Sequence, residues 1–81
     1  MRPELSIIIV NYNTSELLKK CIASIKQETK GVGYEIIVVD NGSTVGMPET
    51  LPNAQVIRNK ENVGFAKAVN QGIEKANGEF I

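Results

Sequence analysis

Apolar residues in this chain follow two distinct spacings. Leu5-Ser6-Ile7-Ile8-Ile9-Val10 and the stretch from Tyr34 to Val39 are near-continuous, β-branched runs. Such runs belong to strands covered on both faces, as in a parallel sheet, and the first reads as a central strand. Leu17, Leu18, Cys21, Ile22 and Ile25 instead share one face of a helix, with Lys19, Lys20 and Lys26 opposite or toward its C-terminus. A second helical face collects Phe65, Ala68, Val69, Gly72, Ile73 and Ala76, leaving Lys67, Gln71, Glu74 and Lys75 to solvent.

The punctuation agrees with these periods. Asn13 is placed to cap the first helix, with Glu16 three residues on completing a capping-box arrangement. Gly31 and Gly33 end that helix, and Pro48 can open a single helical turn. Gln55-Val56-Ile57-Arg58 is a short third strand whose polar ends suit an edge. Asn77-Gly78 ends the second helix, and Glu79-Phe80-Ile81 begins a further apolar segment. The order β-α-β-β-α-β predicts an α/β fold, a parallel sheet in three layers with right-handed crossovers. Residues 1–81 form a single domain, and a last strand of three residues leaves its sheet incomplete.

Composition narrows the function. With 81 residues, 42% of them apolar and 22% charged, the chain is an ordinary soluble globular type. A chain this short buries only roughly 60–65% of its unfolded surface, so its stability is marginal. Nine basic side chains balance nine acidic ones, and only four aromatics are present. Neither a basic footprint nor a stacking platform for nucleic acid exists. The single Cys21 forms no internal disulfide. The absence of histidine excludes Cys/His zinc sites, histidine acid–base chemistry and a Ser-His-Asp triad within the chain. No apolar run can cross a bilayer, and the N-terminus does not read as a signal peptide, so the expected location is cytoplasmic.

Asp40 is the only aspartate, and no Asp-x-Asp pair exists to hold a metal. It ends the second apolar run and opens into Asn41-Gly42-Ser43-Thr44. That is the position at which open α/β sheets bind ligands. Loops after successive parallel strands leave from one edge. Asn11-Tyr12-Asn13, Asp40-Asn41-Gly42-Ser43 and the stretch from Asn59 to Gly64 therefore gather there. Their chemistry suits a nucleotide: Tyr12 offers a flat face for a base and Asp40 an acceptor for a ring N–H. Asn41, Ser43 and Asn62 can partner sugar hydroxyls. Gly64 gives close backbone approach at a helix start, where free N–H groups favour phosphate.

Plainer roles stand beside these. Asp40-Asn41-Gly42 is also a good turn sequence. Tyr12 equally suits packing, Asn13 fits a cap better than a ligand contact, and Cys21 reads as core. Asn70, about two turns beyond Gly64, either bridges the helix to the loops or sits at the rim. The glycine pair Gly31/Gly33 precedes a strand and is no dinucleotide fingerprint, and no Walker A loop is present.

The blocks from Ser6 to Asn13, from Ile37 to Thr44 and from Asn62 to Gly72 resemble the first three signature blocks of family 2 glycosyltransferases. The third, with Gly-Phe-Ala and Val-Asn, is most similar to the rhamnosyltransferase-like branch. The resemblance covers essentially the whole chain and implies the Rossmann-like half of a GT-A fold, truncated and present as a fragment. It implies a nucleotide diphosphate sugar, UDP- or dTDP-linked, with Tyr12 against the base and Asp40 on its ring nitrogen. Asn11 and the segment Asn41, Gly42 and Ser43 would flank base and ribose, while Asn62, Gly64 and Asn70 shape the ribose–phosphate side. Two positions depart from the family pattern, Asn41 and Val45, where aspartate is frequent.

The family's metal-binding motif and catalytic base come later than Ile81. A divalent cation, Mg or Mn, is thus expected for the full-length enzyme with no ligands here, and no residue of this chain is assigned as catalytic. The chain alone is expected to be inactive. The competing function is a non-catalytic nucleotide-binding or self-assembling α/β module, a homo-oligomer formed through the unfinished sheet.

Overall fold

The computed structural model describes residues 3–44, 51 and 54–81. The element order is β1 (Leu5–Asn11), α1 (Ser15–Glu28), β2 (Tyr34–Asn41), β3 (Ala54–Asn59) and α2 (Phe65–Lys75). The strands form one sheet in the order β1-β2-β3, and both pairings are parallel. Among the described residues, no helix is long and apolar enough to cross a membrane.

Register and pleat decide which helix covers which side chain. Ile7, Ile9 and Asn11 pair with Ile36, Val38 and Asp40, which pair in turn with Ala54, Val56 and Arg58. These share one face. Leu18 and Ile22 of α1 pack there against Ile36 and Val38. The opposite face carries Ser6, Ile8, Glu35, Ile37, Asn41, Gln55, Ile57 and Asn59. It receives α2 through Ala68 and Gly72, both buried. A Cβ on Gly72 would lie 2.5 Å from Ile8 Cγ2, so glycine sets the closeness of helix and sheet. The helices thus lie on opposite faces, giving the expected three layers.

Several local expectations are corrected. β2, with residues 36–41 all buried, is the doubly covered strand; β1 is mostly half-buried. β2 also runs on to Asn41, which places Asp40 and Asn41 in the strand and not in the loop. On α1, Leu18 and Ile22 are buried, but Leu17 and Cys21 are exposed, so Cys21 is not core. The buried stripe is narrower than the apolar stripe because one sheet face contacts only one line of a helix. Phe65 and Ile73 are likewise exposed on α2. The turn expected from Pro48 lies outside the described residues. The last apolar segment appears as a parallel bridge between Phe80 and Leu5.

That segment is held by a polar cluster at the N-terminal end of the sheet. Glu35 Oε2 accepts from the Ser6 hydroxyl at 2.5 Å and from the Asn77 amide at 2.6 Å. Ser6 Oγ accepts in turn from the Gly78 amide at 2.8 Å. The hydrogen bond from Ser6, followed by that from Asn77, holds the Glu35 carboxyl below its ordinary value of 4.5, against a smaller opposing effect of burial. A lowered native pKa stabilises the fold fully above the unfolded value. That stability is lost as pH falls through the native value. Glu35→Gln is therefore expected to destabilise the chain at pH 7 and to flatten its acid sensitivity below about pH 4.5. Urea midpoints of both proteins at neutral and acid pH measure this. A constant difference between them at every pH would contradict it.

Candidate functional site

β2 ends in two consecutive polar residues, and the pleat sends them to opposite faces. Asp40 faces α1 and Asn41 faces α2. Each is buried, at 3% and 2% exposure, and each organises a separate polar cluster at the C-terminal edge of the sheet.

On the α1 side, Asp40 Oδ1 accepts from the Ser43 hydroxyl and from Asn11 Nδ2, the latter at 3.1 Å. The described hydrogen bonds leave Oδ2 untouched. Among the described residues, every enclosed side-chain nitrogen or oxygen has a partner. Oδ2 is therefore not fully enclosed. Ser43 Oγ also accepts from the Asn13 amide at 2.8 Å, and Asn13 Oδ1 accepts from the Thr44 amide at 2.9 Å. The loops after β1 and β2 are thereby tied together. Asn13 adopts φ of 52°, a left-handed conformation that asparagine tolerates better than most residues.

These ties explain why Asn13 is not the helix cap. Thr14 occupies the cap position without a side-chain cap bond; its hydroxyl donates to Asn11 Oδ1 at 2.6 Å instead. Glu16 lies 3.8 Å from Lys19 and completes no capping box. Side chains that would ordinarily serve the helix start are used to orient Asn11 and the loop after β2.

On the α2 side, Asn41 Oδ1 accepts from the Val63 amide at 3.0 Å and from Asn59 Nδ2 at 3.1 Å. Asn41 Nδ2 donates to Asn62 Oδ1 at 3.1 Å and to the Gly64 carbonyl at 3.4 Å. Asn62 Oδ1 accepts the Gly64 amide at 2.8 Å. Asn59 and Gln71 exchange two amide bonds, at 2.8 and 2.9 Å. Gln71 is thus the bridge from α2 to the loops, not a solvent residue; Asn70 is exposed.

The sequence-selected residues do converge. Tyr12 follows Asn11, the register partner of Asp40, and is 46% exposed. Gly64 starts α2 in contact with Asn41, the neighbour of Asp40. Gly42 joins the halves: its φ is +86°, and a Cβ there would lie 2.6 Å from the Glu61 carbonyl carbon and 2.8 Å from the Asn62 nitrogen. Asn11, Asn41, Ser43 and Asn62 spend their side chains on other protein groups. Tyr12 is exposed, no described hydrogen bond engages Asp40 Oδ2, and the first turn of α2 has no side-chain cap. Sequence reading placed Asn59 in the rim stretch without a role of its own and assigned Gln71 to solvent. The available signal was that Asn59 shares the pleat face of Ile57 and so had to meet α2.

The described rim residues do not by themselves form a divalent-cation site. Among the described residues, no three His, Cys, Asp or Glu side chains gather. The rim offers Asp40, half occupied, among neutral amides. A surface groove of about 490 Å³ lies elsewhere, between α1 and Leu51, lined by Lys19, Ile22, Ala23, Lys26 and Gln27.

Gly42→Ala is expected to lower the urea midpoint by more than Gly31→Ala. Both positions have positive φ and incur roughly 1–3 kcal/mol of backbone strain, but a Cβ on Gly31 meets nothing within 4 Å. Equal losses would contradict the close approach of the two loops.

The family model described as Glycosyl transferase family 2 matches residues 6–81. Bacillus subtilis EpsH, which carries a glycosyltransferase name, is 33% identical over 98% of this chain and 24% of its own length. Glycosyltransferase AglE of Haloferax volcanii is 33% identical over 98% of this chain and 29% of its own. Dolichol-phosphate mannosyltransferase of Pyrococcus furiosus is 33% identical over 96% of this chain and 24% of its own. The chain therefore spans about a quarter of the length of these relatives.

Proposed function

The chain belongs to glycosyl transferase family 2, and from that premise we propose that it is the donor-binding portion of a sugar-transferring enzyme. The donor is a nucleotide diphosphate sugar, UDP- or dTDP-linked, and the acceptor is a hydroxyl. The acceptor oxygen forms a bond to the anomeric carbon as the bond to the nucleoside diphosphate breaks. The acceptor's proton must pass to a base. Neither that base nor the ligands of a divalent cation are assigned to this chain, so it has no transfer activity alone. We place the parent enzyme in the GT-A class, in the rhamnosyltransferase-like branch and in the cytoplasm.

One observation carries the reading: a buried carboxylate at the end of the central strand has one oxygen held by Asn11 and Ser43 and no described hydrogen bond on the other. A buried carboxylate without partners is costly. Here two neutral donors hold Oδ1 and leave Oδ2 for a base N–H to complete its bonding. Tyr12, next to Asn11 and exposed, supplies the face for stacking. Asn11 and Ser43 orient Asp40, Gly42 brings the two loops together, and Asn41 and Asn62 set the start of α2. Gly64 leaves room for the diphosphate at the first amides of α2, from Phe65 onward, and exposed Asn70 shapes the ribose–phosphate side. A free N-terminal turn of a helix favours such an anion.

Asp40→Asn tests this with the shape kept. Its carbonyl oxygen can still accept from Asn11 and Ser43, which puts an NH₂ where Oδ2 stood. Two donors then face each other. Titration with UDP and dTDP, followed by amide shifts, is expected to show wild-type binding and a loss of at least about tenfold in the variant. No response of the wild type to either nucleotide would contradict the proposal.

A second reading, self-association, rests on exposed Phe80 and Ile81 beside the outer edge of β1. Such edges recruit further strands. Light scattering is expected to report a homo-oligomer; a monomer at NMR concentrations would contradict it.

A further inference from the structure

We infer that Gln71 and Asn59 form a positioning clamp that sets the nucleotide affinity of the rim without touching the nucleotide. The inference rests on the donor-site reading above and extends it to two residues outside the expected site. Its starting point is a backbone group. The Val63 N–H can only donate, so the Asn41 atom that receives it at 3.0 Å must be Oδ1. Asn59 must then present Nδ2 to that oxygen, at 3.1 Å. The second hydrogen of Nδ2 is left for Gln71 Oε1, at 2.8 Å, and Gln71 Nε2 returns a bond to Asn59 Oδ1 at 2.9 Å. Every amide in the series has one permitted orientation. Asn41 Nδ2 meanwhile holds Asn62 Oδ1 and the Gly64 carbonyl, and Asn62 holds the Gly64 amide.

The consequence is mechanical. α2 has no side-chain cap at its N-terminus, since Gly64 occupies that position at φ of 90°. Among the described residues nothing lies within 4 Å of where its Cβ would be, so they leave this end of the helix uncovered. The packing of Ala68 and Gly72 fixes how close the helix lies to the sheet. The reciprocal pair between Gln71 and Asn59 fixes where the helix stands along β3, and Asn41 carries that position to Val63 and Gly64. Helix-start amides bind an anion only when they are aimed together, so clamp length becomes donor affinity.

The experiment is a length swap. Gln71→Asn shortens one arm by a methylene, and adding Asn59→Gln restores the total span. UDP and dTDP are titrated against the wild type, Q71N and the double variant, and hydrogen exchange at the Val63 and Gly64 amides is measured without nucleotide. Q71N is expected to weaken binding by about three- to tenfold and to speed exchange at both amides, and the swap to recover both. Wild-type affinity and exchange in Q71N would overturn the clamp, as would a swap that folds but recovers neither. If Q71N does not fold, the swap decides alone: wild-type exchange and affinity support the clamp, and a folded protein lacking them overturns it. Should the wild type bind neither nucleotide, the donor-site reading fails by itself. The exchange rates then still judge the clamp: acceleration reversed by the swap supports it, and unchanged rates overturn it.

Discussion

The pleat of one strand governs this molecule. β2 is covered on both faces, and its last two residues are polar. Successive side chains of a strand must point to opposite faces. Asp40 and Asn41 are therefore driven to different sides of the same sheet edge, each into a place shielded from water. A buried polar group without partners is costly, so each residue draws a loop toward itself. Asp40 recruits Asn11 and Ser43; Asn41 recruits Asn59, Asn62 and the backbone at Val63 and Gly64. Two polar clusters result, back to back, with Gly42 the joint between them.

This arrangement separates scaffolding from recognition. Polar residues in the rim loops look alike in sequence, yet the buried amides are consumed in building the rim. The groups left facing outward are few: the ring of Tyr12, one oxygen of Asp40 and the amides that begin α2. They differ in kind, as a flat apolar surface, a hydrogen-bond acceptor and an anion-attracting helix end. Under the donor-site proposal they would meet the base, the ring N–H and the phosphates of one nucleotide. An uncharged amide network holding the phosphate side is independent of pH across the range in which a carboxylate or imidazole would titrate.

Much of the fold was legible in the sequence. The β-branched runs fixed the strands, the 3.6-residue periods placed both helices, and the parallel order followed from their alternation. The convergence of three loops followed from parallel topology alone, and Asp40 was visible because its run of apolar residues stops there. What escaped reading has physical causes. Asn13 and Thr14 carry good capping signals, but tertiary partners outcompeted the helix for their side chains. The end of β2 was placed two residues early because Asp40 and Asn41 look like turn residues, and only pairing with Asn11 and with Arg58 and Asn59 keeps them in register. Cys21 and Leu17 belong to an apolar stripe wider than the sheet face that α1 covers. Gln71 was assigned to solvent because amphipathic spacing ranks side chains by polarity and is blind to a polar partner such as Asn59.

The central claim is that one nucleotide spans both clusters, with its base on the Asp40 side and its phosphates on the Asn41 side. A crystal structure of the chain with UDP or dTDP tests this most directly. The account predicts a base beside Tyr12 with its ring N–H on Asp40 Oδ2, and phosphates against the first amides of α2, from Phe65 onward. A nucleotide seated in the groove between Lys19 and Lys26 of α1, or a base remote from Asp40, would contradict it.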